Sequence, residues 1–246
     1  MSLHTLYPNL VRLEPVEHKY YDSMGNQYVG FSKFYKFLSA PFDAKNISRF
    51  IAKATGESQD DLLNKWSGQT SEGTRIDAAL ELYAKTGQVL ETDADISDLI
   101  KSVLAEYSEY NKTFEQLVVY NTEYRVAGSL DKAFLFSNRK DSAFGMSDFK
   151  AFEKDDLHVH RGWLNAPFDY LPNTKYTKIS FQLSFYAHLF EVLTGRKCKR
   201  LFIHLIDPKN KTHQKVPVFY LKREVMYALE HHKQNILNEL LIEESF

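Results

Sequence analysis

The sequence has little cysteine, no long apolar run and no excess of either charge, and each absence excludes a class of protein. Its single cysteine, Cys198, can form no internal disulfide, four-cysteine iron–sulfur cluster or cysteine-rich zinc site. No apolar run approaches the ~18 residues of a membrane-spanning helix, and the N-terminus lacks the apolar core of a signal peptide. The charges nearly cancel, with 31 Lys and Arg against 32 Asp and Glu, which argues against a uniformly basic binder but permits a local basic groove. We therefore expect a cytoplasmic protein with no membrane partner and no iron–sulfur cluster.

Hydrophobic residues make up 43% of the 246-residue chain, which is enough for one sizeable core. Neither internal repeats nor Gly/Ser-rich linkers interrupt the sequence, so we predict a single domain over residues 1–246. Residues 1–116 are predicted to form a mainly helical N-terminal lobe that opens with a small hairpin, whose strands at 18–21 and 27–29 flank a cluster of turn-forming residues. Residues 117–246 combine strand-like segments with amphipathic helices at 179–193 and 223–241. The pattern predicts an α/β fold in which helices flank a central mixed β-sheet.

The most informative stretch carries Asp148 and Lys150 on a strand predicted at 144–152, downstream of Asp131 on the preceding strand. Alternate residues of a strand share a face, so Asp148 and Lys150 point the same way. If the two strands pair, two carboxylates converge and repel each other, unless one takes up a proton or a cation lies between them. Mg²⁺ would fit there, with the backbone carbonyl of Phe149 as a further oxygen ligand. Such a site, with Lys150 positioning water or stabilising charge, is suited to phosphodiester hydrolysis.

The alternative for Asp148 and Lys150 is an ordinary ion pair on the exposed face of a strand, which is common and contributes little. Apolar residues on both sides of the pair, at 143–146 and 151–152, instead favour a central strand. A charged pair on a central strand requires a reason, and a metal site supplies one.

Four further polar residues each have a functional and a structural interpretation. Gln182 and Tyr186 lie one turn apart on a predicted helix, where they either contact substrate or are satisfied core residues. Asp77 lies beside an apolar helical stripe, and either faces the site or complements the dipole of a first helical turn. Glu123 is either a solvated strand residue or a carboxylate at the end of the sheet near Asp131.

Other catalytic signatures do not occur in the sequence. The nine histidines form no recognisable ligand set, no Gly-rich phosphate loop precedes a lysine, and there is no Gly-x-Ser-x-Gly elbow. These absences count against a zinc protease, a nucleoside triphosphatase and a serine hydrolase.

Taken in chain order, these residues resemble the motifs of the PD-(D/E)XK nucleases. The matching elements are Trp66, Gly73-Thr74, Glu123, Gly128-Ser129-Leu130-Asp131, Asp148-Phe149-Lys150 and Gln182-x-x-x-Tyr186. The last element is similar to the Gln-x-x-x-Tyr motif of the RecB-like and phage lambda-exonuclease-like branch. The resemblance implies a restriction-endonuclease-like core.

The resemblance also implies a role for each matching residue. The implied metal ligands are Asp131, Asp148 and the Phe149 carbonyl. The implied catalytic groups are the same two carboxylates together with Lys150 and Glu123. Gln182 and Tyr186 are implied to bind the substrate. Asp77 occupies the position at which this branch usually has a metal-binding histidine. A carboxylate suits Mg²⁺ or Mn²⁺ at least as well as imidazole does.

The motifs therefore predict a Mg²⁺- or Mn²⁺-dependent deoxyribonuclease. The resemblance favours an exonuclease that acts on single-stranded DNA or duplex ends in phage or bacterial recombination or repair. A second copy of the chain or a recombination protein is left open as a partner. Two alternative functions also stay open: a nucleic-acid-binding protein of the same fold that has lost catalysis, which Asp77 would explain, and an RNA-directed nuclease.

Overall fold

The structure is a computed structural model that describes residues 7–40, 43–110, 112–136, 143–152 and 154–243. None of the helices within these ranges is long and apolar enough to cross a membrane.

The described residues form strands, α-helices and short 3₁₀ helices. The strands are β1 Val11–Glu14, β2 Lys19–Asp22, β3 Gln27–Gly30, β4 Lys112–Asn121, β5 Val126–Leu135, β6 Ala143–Ala151, β7 Lys197–Asp207 and β8 Thr212–Pro217. The α-helices are α1 Phe31–Tyr35, α2 Ala44–Thr55, α3 Gln59–Thr86, α4 Ser97–Ala105, α5 Lys175–Thr194, α6 Lys222–His231 and α7 Lys233–Glu243. The 3₁₀ helices cover Glu91–Ile96 and Lys154–His158.

The strands join one mixed sheet in the spatial order β1-β2-β3-β5-β6-β7-β8, and β4 pairs with β5. The pairs β3–β5 and β6–β7 are parallel, and the other described pairs are antiparallel. β4 follows β5 along its whole length, whereas β3 meets only the first residues of β5 and β6 only the last ones. β3 and β6 therefore share the second edge of β5, and the middle of that edge has no described strand partner.

Helices cover both faces of the sheet. α5 packs on one face and is buried along most of its length, because its sequence is apolar on nearly every side. Thr174 caps α5 by accepting a hydrogen bond from the Thr177 N–H, and Gly195 ends it in the left-handed region with φ 68°. α3 and α4 pack on the other face.

β6 contributes to both layers because its side chains alternate between the two faces. Phe144 and Met146 belong to the apolar cluster that contains α5, whereas Phe149 belongs to the cluster that contains α3 and α4. Apolar packing on both sides explains why the strand is apolar apart from its last residues. Its polar end is the part that needs a functional explanation.

The structure confirms the predicted α/β class, with a mixed central sheet flanked by helices and a helical region near the N-terminus. It differs from the predicted organisation within segment 1–116, because β1, β2 and β3 lie there yet belong to the sheet, and β4 begins at Lys112. The predicted hairpin is confirmed, because β2 and β3 pair antiparallel at its positions. β1 was not predicted, because four residues are too few for alternation to reveal a strand. The helix predicted at 223–241 is two helices that part at His232, where the backbone leaves the helical region (φ −102°, ψ 8°). The apolar stripe continues across this break, so periodicity did not indicate it.

Candidate active site

The candidate site lies where β5 and β6 separate. These strands pair antiparallel over four residues, and the described ladder ends at Lys132 with Ser147. The same register places Asp131 directly opposite Asp148, one residue beyond the ladder. Side chains directly opposite across antiparallel strands have Cβ atoms about 4.5–5.5 Å apart. The pairing behind them therefore holds the two carboxylates close together.

Where β5 and β6 separate, the Asp131 side chain takes the place of a backbone hydrogen bond between the two strands. Its Oδ2 atom accepts a hydrogen bond of 2.9 Å from the backbone N–H of Phe149. Burial raises the pKa of Asp131 well above its ordinary value, the charge of Asp148 raises it further, and Lys150 opposes both. Without a metal, the pair therefore disfavours two full negative charges, and a divalent cation would relieve the same repulsion.

Lys150 forms an ion pair with the second carboxylate. Its Nζ lies 2.5 Å from Oδ2 of Asp148, whose side chain is 4% exposed. This buried oxygen has no hydrogen bond of normal geometry among the described residues, so the ion pair is its main polar contact. Burial lowers the pKa of Lys150, but the attraction of Asp148 and then of Asp131 outweighs burial and holds the pKa above its ordinary value. The lysine is therefore protonated at neutral pH.

The backbone of Phe149 faces the gap between the strands. Its N–H points toward β5, where it bonds Asp131, and the N–H and C=O of one strand residue point to the same side. The Phe149 carbonyl oxygen therefore also faces the carboxylates. Two carboxylates and a carbonyl form an oxygen-only set of the kind that hard cations such as Mg²⁺ and Mn²⁺ prefer. The opposed acids and the buried oxygen of Asp148 fit such an ion.

Asp77 reaches the same group of charges from α3. Asp77 as a whole residue is exposed to solvent, yet local burial of its carboxyl raises the pKa to about 6, with Lys150 opposing the shift and Asp148 adding to it. The carboxyl is therefore within electrostatic reach of the Asp148–Lys150 pair. The interpretation of Asp77 as a first-turn residue is wrong, because α3 begins at Gln59 and Asp77 lies far inside it.

Helix α5 presents Gln182 and Tyr186 beside the acids. The Gln182 Nε2 donates a hydrogen bond of 3.1 Å to the Tyr186 hydroxyl. The ring of Tyr186 lies on Gly128, where an added Cβ would come within 2.1 Å of a ring carbon, so glycine is required for this approach. Burial raises the pKa of Tyr186 well above its ordinary value, and the charges of Asp148 and Asp131 are among the smaller contributions. The hydroxyl therefore stays protonated near the acids.

A second lysine, Lys178, lies at the edge of this site. It precedes Gln182 by one turn of α5, so the two residues share a helix face. Burial lowers the pKa of Lys178, and the positive charge of Lys150 lowers it further. The two ammonium groups are therefore close enough to interact.

Glu123 does not join these residues. It lies in the turn between β4 and β5, its side chain is 64% exposed, and its carboxylate is 3.0 Å from Nζ of Lys233. Asp131 lies five residues past the start of β5, about 17 Å along the strand. Of the two interpretations, the structure therefore favours the solvated residue, and the catalytic role that the resemblance implied has no support from the geometry.

Sequence analysis did not identify Glu115 and Gln116, which lie on β4 opposite Asp131. Glu115 and Gln116 line the same cleft, and Gln116 has φ 47°, an irregularity in the strand. The Ser129 hydroxyl donates a 3.2 Å hydrogen bond to the side-chain Oε1 of Gln116, and Glu115 accepts one of 2.6 Å from Lys132. Sequence analysis missed both because it began this strand at residue 117. A strand two residues longer would have included them.

The cleft between these elements is narrow. Asp77 from α3, Asp131 from β5 and Phe149 from β6 line it together with the two β4 residues. The space available to the centre of a water molecule is about 10 Å³, which is the room that a single water or ion takes. The cleft therefore has oxygen donors and room for one small cation, whereas Asp148 and Lys150, on either side of Phe149 in β6, are not among its lining residues.

Comparison with known proteins gives a distant structural likeness. No known protein family matches the chain, and no curated protein matches it. The chain is similar to the crystal structure of a protein from Eubacterium rectale that is provisionally assigned as an exonuclease. The two have 11% sequence identity and a TM-score of 0.42, over 88% of this chain and 82% of that one. The likeness concerns the arrangement of helices and strands and not individual residues.

Proposed function

We propose that the protein is a metal-dependent deoxyribonuclease that removes nucleotides from DNA ends. The observation that carries the proposal is the placement of Asp131 opposite Asp148 at the point where two strands part, with Lys150 ion-paired to Asp148. Two opposed carboxylates are costly in a metal-free protein. A site that hydrolyses phosphodiesters with a divalent ion needs this arrangement.

The metal ligands in this proposal are Asp131, Asp148 and the Phe149 carbonyl, with Asp77 as a further carboxylate. The ion is Mg²⁺ or Mn²⁺, because every donor is an oxygen atom. When bound, the ion supplies positive charge and Lewis acidity to the phosphoryl group.

The side chains around the metal ligands bind and orient the substrate. Lys150 is protonated, so it is no general base; it donates a hydrogen bond to the attacking water or to a phosphoryl oxygen. Gln182 and Tyr186 donate to the scissile strand, and Lys178 contacts a neighbouring phosphate. Water attacks phosphorus and gives a proton to solvent, the bond from phosphorus to the 3′-oxygen breaks, and that oxygen takes up a proton from solvent, so the products carry a 5′-phosphate and a 3′-hydroxyl.

DNA as the substrate, and ends as the point of attack, are supported by the motif order. The elements from Gly128 to Tyr186 resemble the RecB-like and lambda-exonuclease-like branch, whose members process DNA ends. The two ammonium groups of Lys150 and Lys178 at the cleft suit a phosphate backbone.

Cleavage of labelled DNA tests the proposal. The purified chain is incubated with linear duplex, single-stranded and closed circular DNA in Mg²⁺, in Mn²⁺ and in EDTA. We expect metal-dependent loss of the linear substrates, sparing of the closed circle, and 5′-phosphate products. Asp148→Asn and Lys150→Met should each lower the rate by at least about 10³-fold, because each removes a group that acts on the transition state.

Glu123→Gln is the matched control, because Glu123 also forms a carboxylate–lysine ion pair but lies in the distant turn. It should retain the wild-type rate. Equal activity of Asp148→Asn and wild type would remove the mechanism. Cleavage of the closed circle would show an endonuclease and not an exonuclease. Degradation of RNA alone would show that RNA is the substrate. DNA binding without cleavage in either metal would identify a non-catalytic protein.

A further inference from the structure

A buried histidine lies on β7, the strand next to the one that carries Asp148 and Lys150. His204 interrupts the apolar run of β7 and is 0% exposed, with aromatic rings around it that include Tyr107, Phe149 and Phe202. Neither of its ring nitrogens has a hydrogen-bond partner among the described residues. Buried polar groups are normally satisfied by protein, water or an ion, so two orphaned nitrogens on one ring require an explanation.

Two further metal-ligating side chains converge on His204. Glu106 directly follows the end of α4, and His213 lies on β8, next to β7. One ligand atom from each of the three residues lies within 4.8 Å of the others. The Nδ1 atom of His213 and Oε1 of Glu106 are 3.4 Å apart.

One of these distances already fits a tetrahedral ion, and the others are close to it. With metal–ligand bonds of about 2.0–2.1 Å, two ligand atoms of a tetrahedral zinc site lie about 3.3 Å apart. The pair formed by Glu106 and His213 already has this separation. His204 completes the set if the ligand atoms close by about 1.5 Å, and the Glu106 side chain, which is 33% exposed, lies at a helix end.

The ligand chemistry selects the metal. Two imidazoles and one carboxylate suit zinc, whereas Mg²⁺ prefers oxygen atoms alone. Burial lowers the pKa of His204 to about 3, with further lowering by His213, Lys215 and Lys132. The ring is therefore neutral at physiological pH, and its lone pair is available without release of a proton.

The nearby lysines are neutralised by carboxylates. Lys215 Nζ lies 2.5 Å from Oε2 of Glu106, which leaves Oε1 directed toward His213, and Lys132 is paired with Glu115. A lysine on the second carboxylate oxygen orients the first one, as outer contacts of metal ligands commonly do. The C-terminal end of α4, where Glu106 lies, also carries the partial negative charge of the helix dipole.

We propose that Glu106, His204 and His213 bind a zinc ion that fastens the end of α4 to β7 and β8. A simple ion pair between Glu106 and His213 would leave both nitrogens of His204 buried without a partner, and the zinc site satisfies one of them. Water completes the coordination on the exposed side. The site shares no ligand with the acidic cleft and does not depend on the proposed nuclease activity.

Zinc content and cobalt spectroscopy of the full chain test the proposal. Asp148→Asn serves as the background, so that metal in the acidic cleft does not contribute. We expect one tightly bound zinc per chain by elemental analysis, a higher melting temperature with zinc than with EDTA, and the visible absorption of tetrahedral Co²⁺ when cobalt replaces zinc.

His204→Phe and His213→Gln should each lower zinc affinity by at least a hundredfold and abolish the cobalt band. The Phe variant places an apolar ring among aromatic rings, so it should fold without zinc at least as well as the parent, which separates metal loss from misfolding. The control is the double variant His158→Gln and His160→Gln, which removes two exposed histidines and should leave the zinc content unchanged. Retention of one zinc by His204→Phe, or loss of it in the control, would overturn the site.

Discussion

Replacing Asp131 with asparagine should stabilise the metal-free protein while abolishing cleavage. The pKa of Asp131 is raised in the folded state by burial and by Asp148. Folding therefore disfavours its ionised form, and wild-type stability falls as the pH rises from the unfolded pKa, about 3.9, through the higher folded value. Asparagine carries no charge but keeps an oxygen that can accept the Phe149 N–H.

The size of the gain follows from the like-charge repulsion that the variant removes. Two charges roughly 5 Å apart at an effective dielectric constant of 20 repel by about 3 kcal/mol. Lys150 offsets part of this repulsion because it attracts both carboxylates. We therefore expect a gain of about 1–2 kcal/mol, or about 2–8 °C in melting temperature for a chain of this size.

Thermal denaturation in EDTA at pH 8 and at pH 4 measures the effect. The gain of Asp131→Asn should be present at pH 8 and largely lost at pH 4, where the wild-type carboxyl is protonated as well. Mg²⁺ should reverse the order, because an ion at a hundred times its Kd stabilises the wild type by about 2.7 kcal/mol. Asp98→Asn, on an exposed residue of α4, is the control and should change stability by less than about 0.5 kcal/mol. A less stable Asp131→Asn protein at pH 8 would refute the reasoning.

Two other predictions concern Asp77 and Gly128. Because burial raises the pKa of Asp77 to about 6, the affinity for Mn²⁺, measured by titration, should fall as the pH drops through that value. Asp77→Asn should make the Mn²⁺ affinity depend less on pH. An unchanged pH dependence in this variant would contradict the role of Asp77. Gly128→Ala places a Cβ within 2.1 Å of the Tyr186 ring and should cost about 1–3 kcal/mol in thermal denaturation. Gly73→Ala is the control, because Gly73 lies in the interior of α3 and its added Cβ would have nothing within 4 Å. This change should raise the free energy of unfolding by up to about 1 kcal/mol. Equal effects of the two substitutions would rule out the close packing of Tyr186 on Gly128.

The sheet around the acids could be predicted because its strands carry strong local signals. Apolar and aromatic residues flank both Asp131 and Asp148, so the sequence predicted neighbouring strands there, and the structure places the two residues opposite each other. The parting of the strands beyond Lys132 could not be predicted, because it depends on β3 occupying the same edge of β5. That contact joins residues almost a hundred positions apart.

What the sequence could not indicate lies at element boundaries or between distant elements. Glu115 was missed because apolar alternation becomes clear only after it. The set of Glu106, His204 and His213 escaped notice because known zinc motifs place ligands at fixed spacings on one element, whereas these ligands come from a helix end and two strands. The pattern identifies single elements well, and it does not identify which elements meet.

The point at which β5 and β6 separate also determines how the protein should lose activity on heating. The strand pairing next to the acids, between Lys132 and Ser147, holds Asp131 and Asp148 in alignment. A slip of one residue between these strands would turn one acid to the opposite face of the sheet. Heating should therefore leave activity intact until the sheet itself melts, and inactivation and global unfolding should occur as one event.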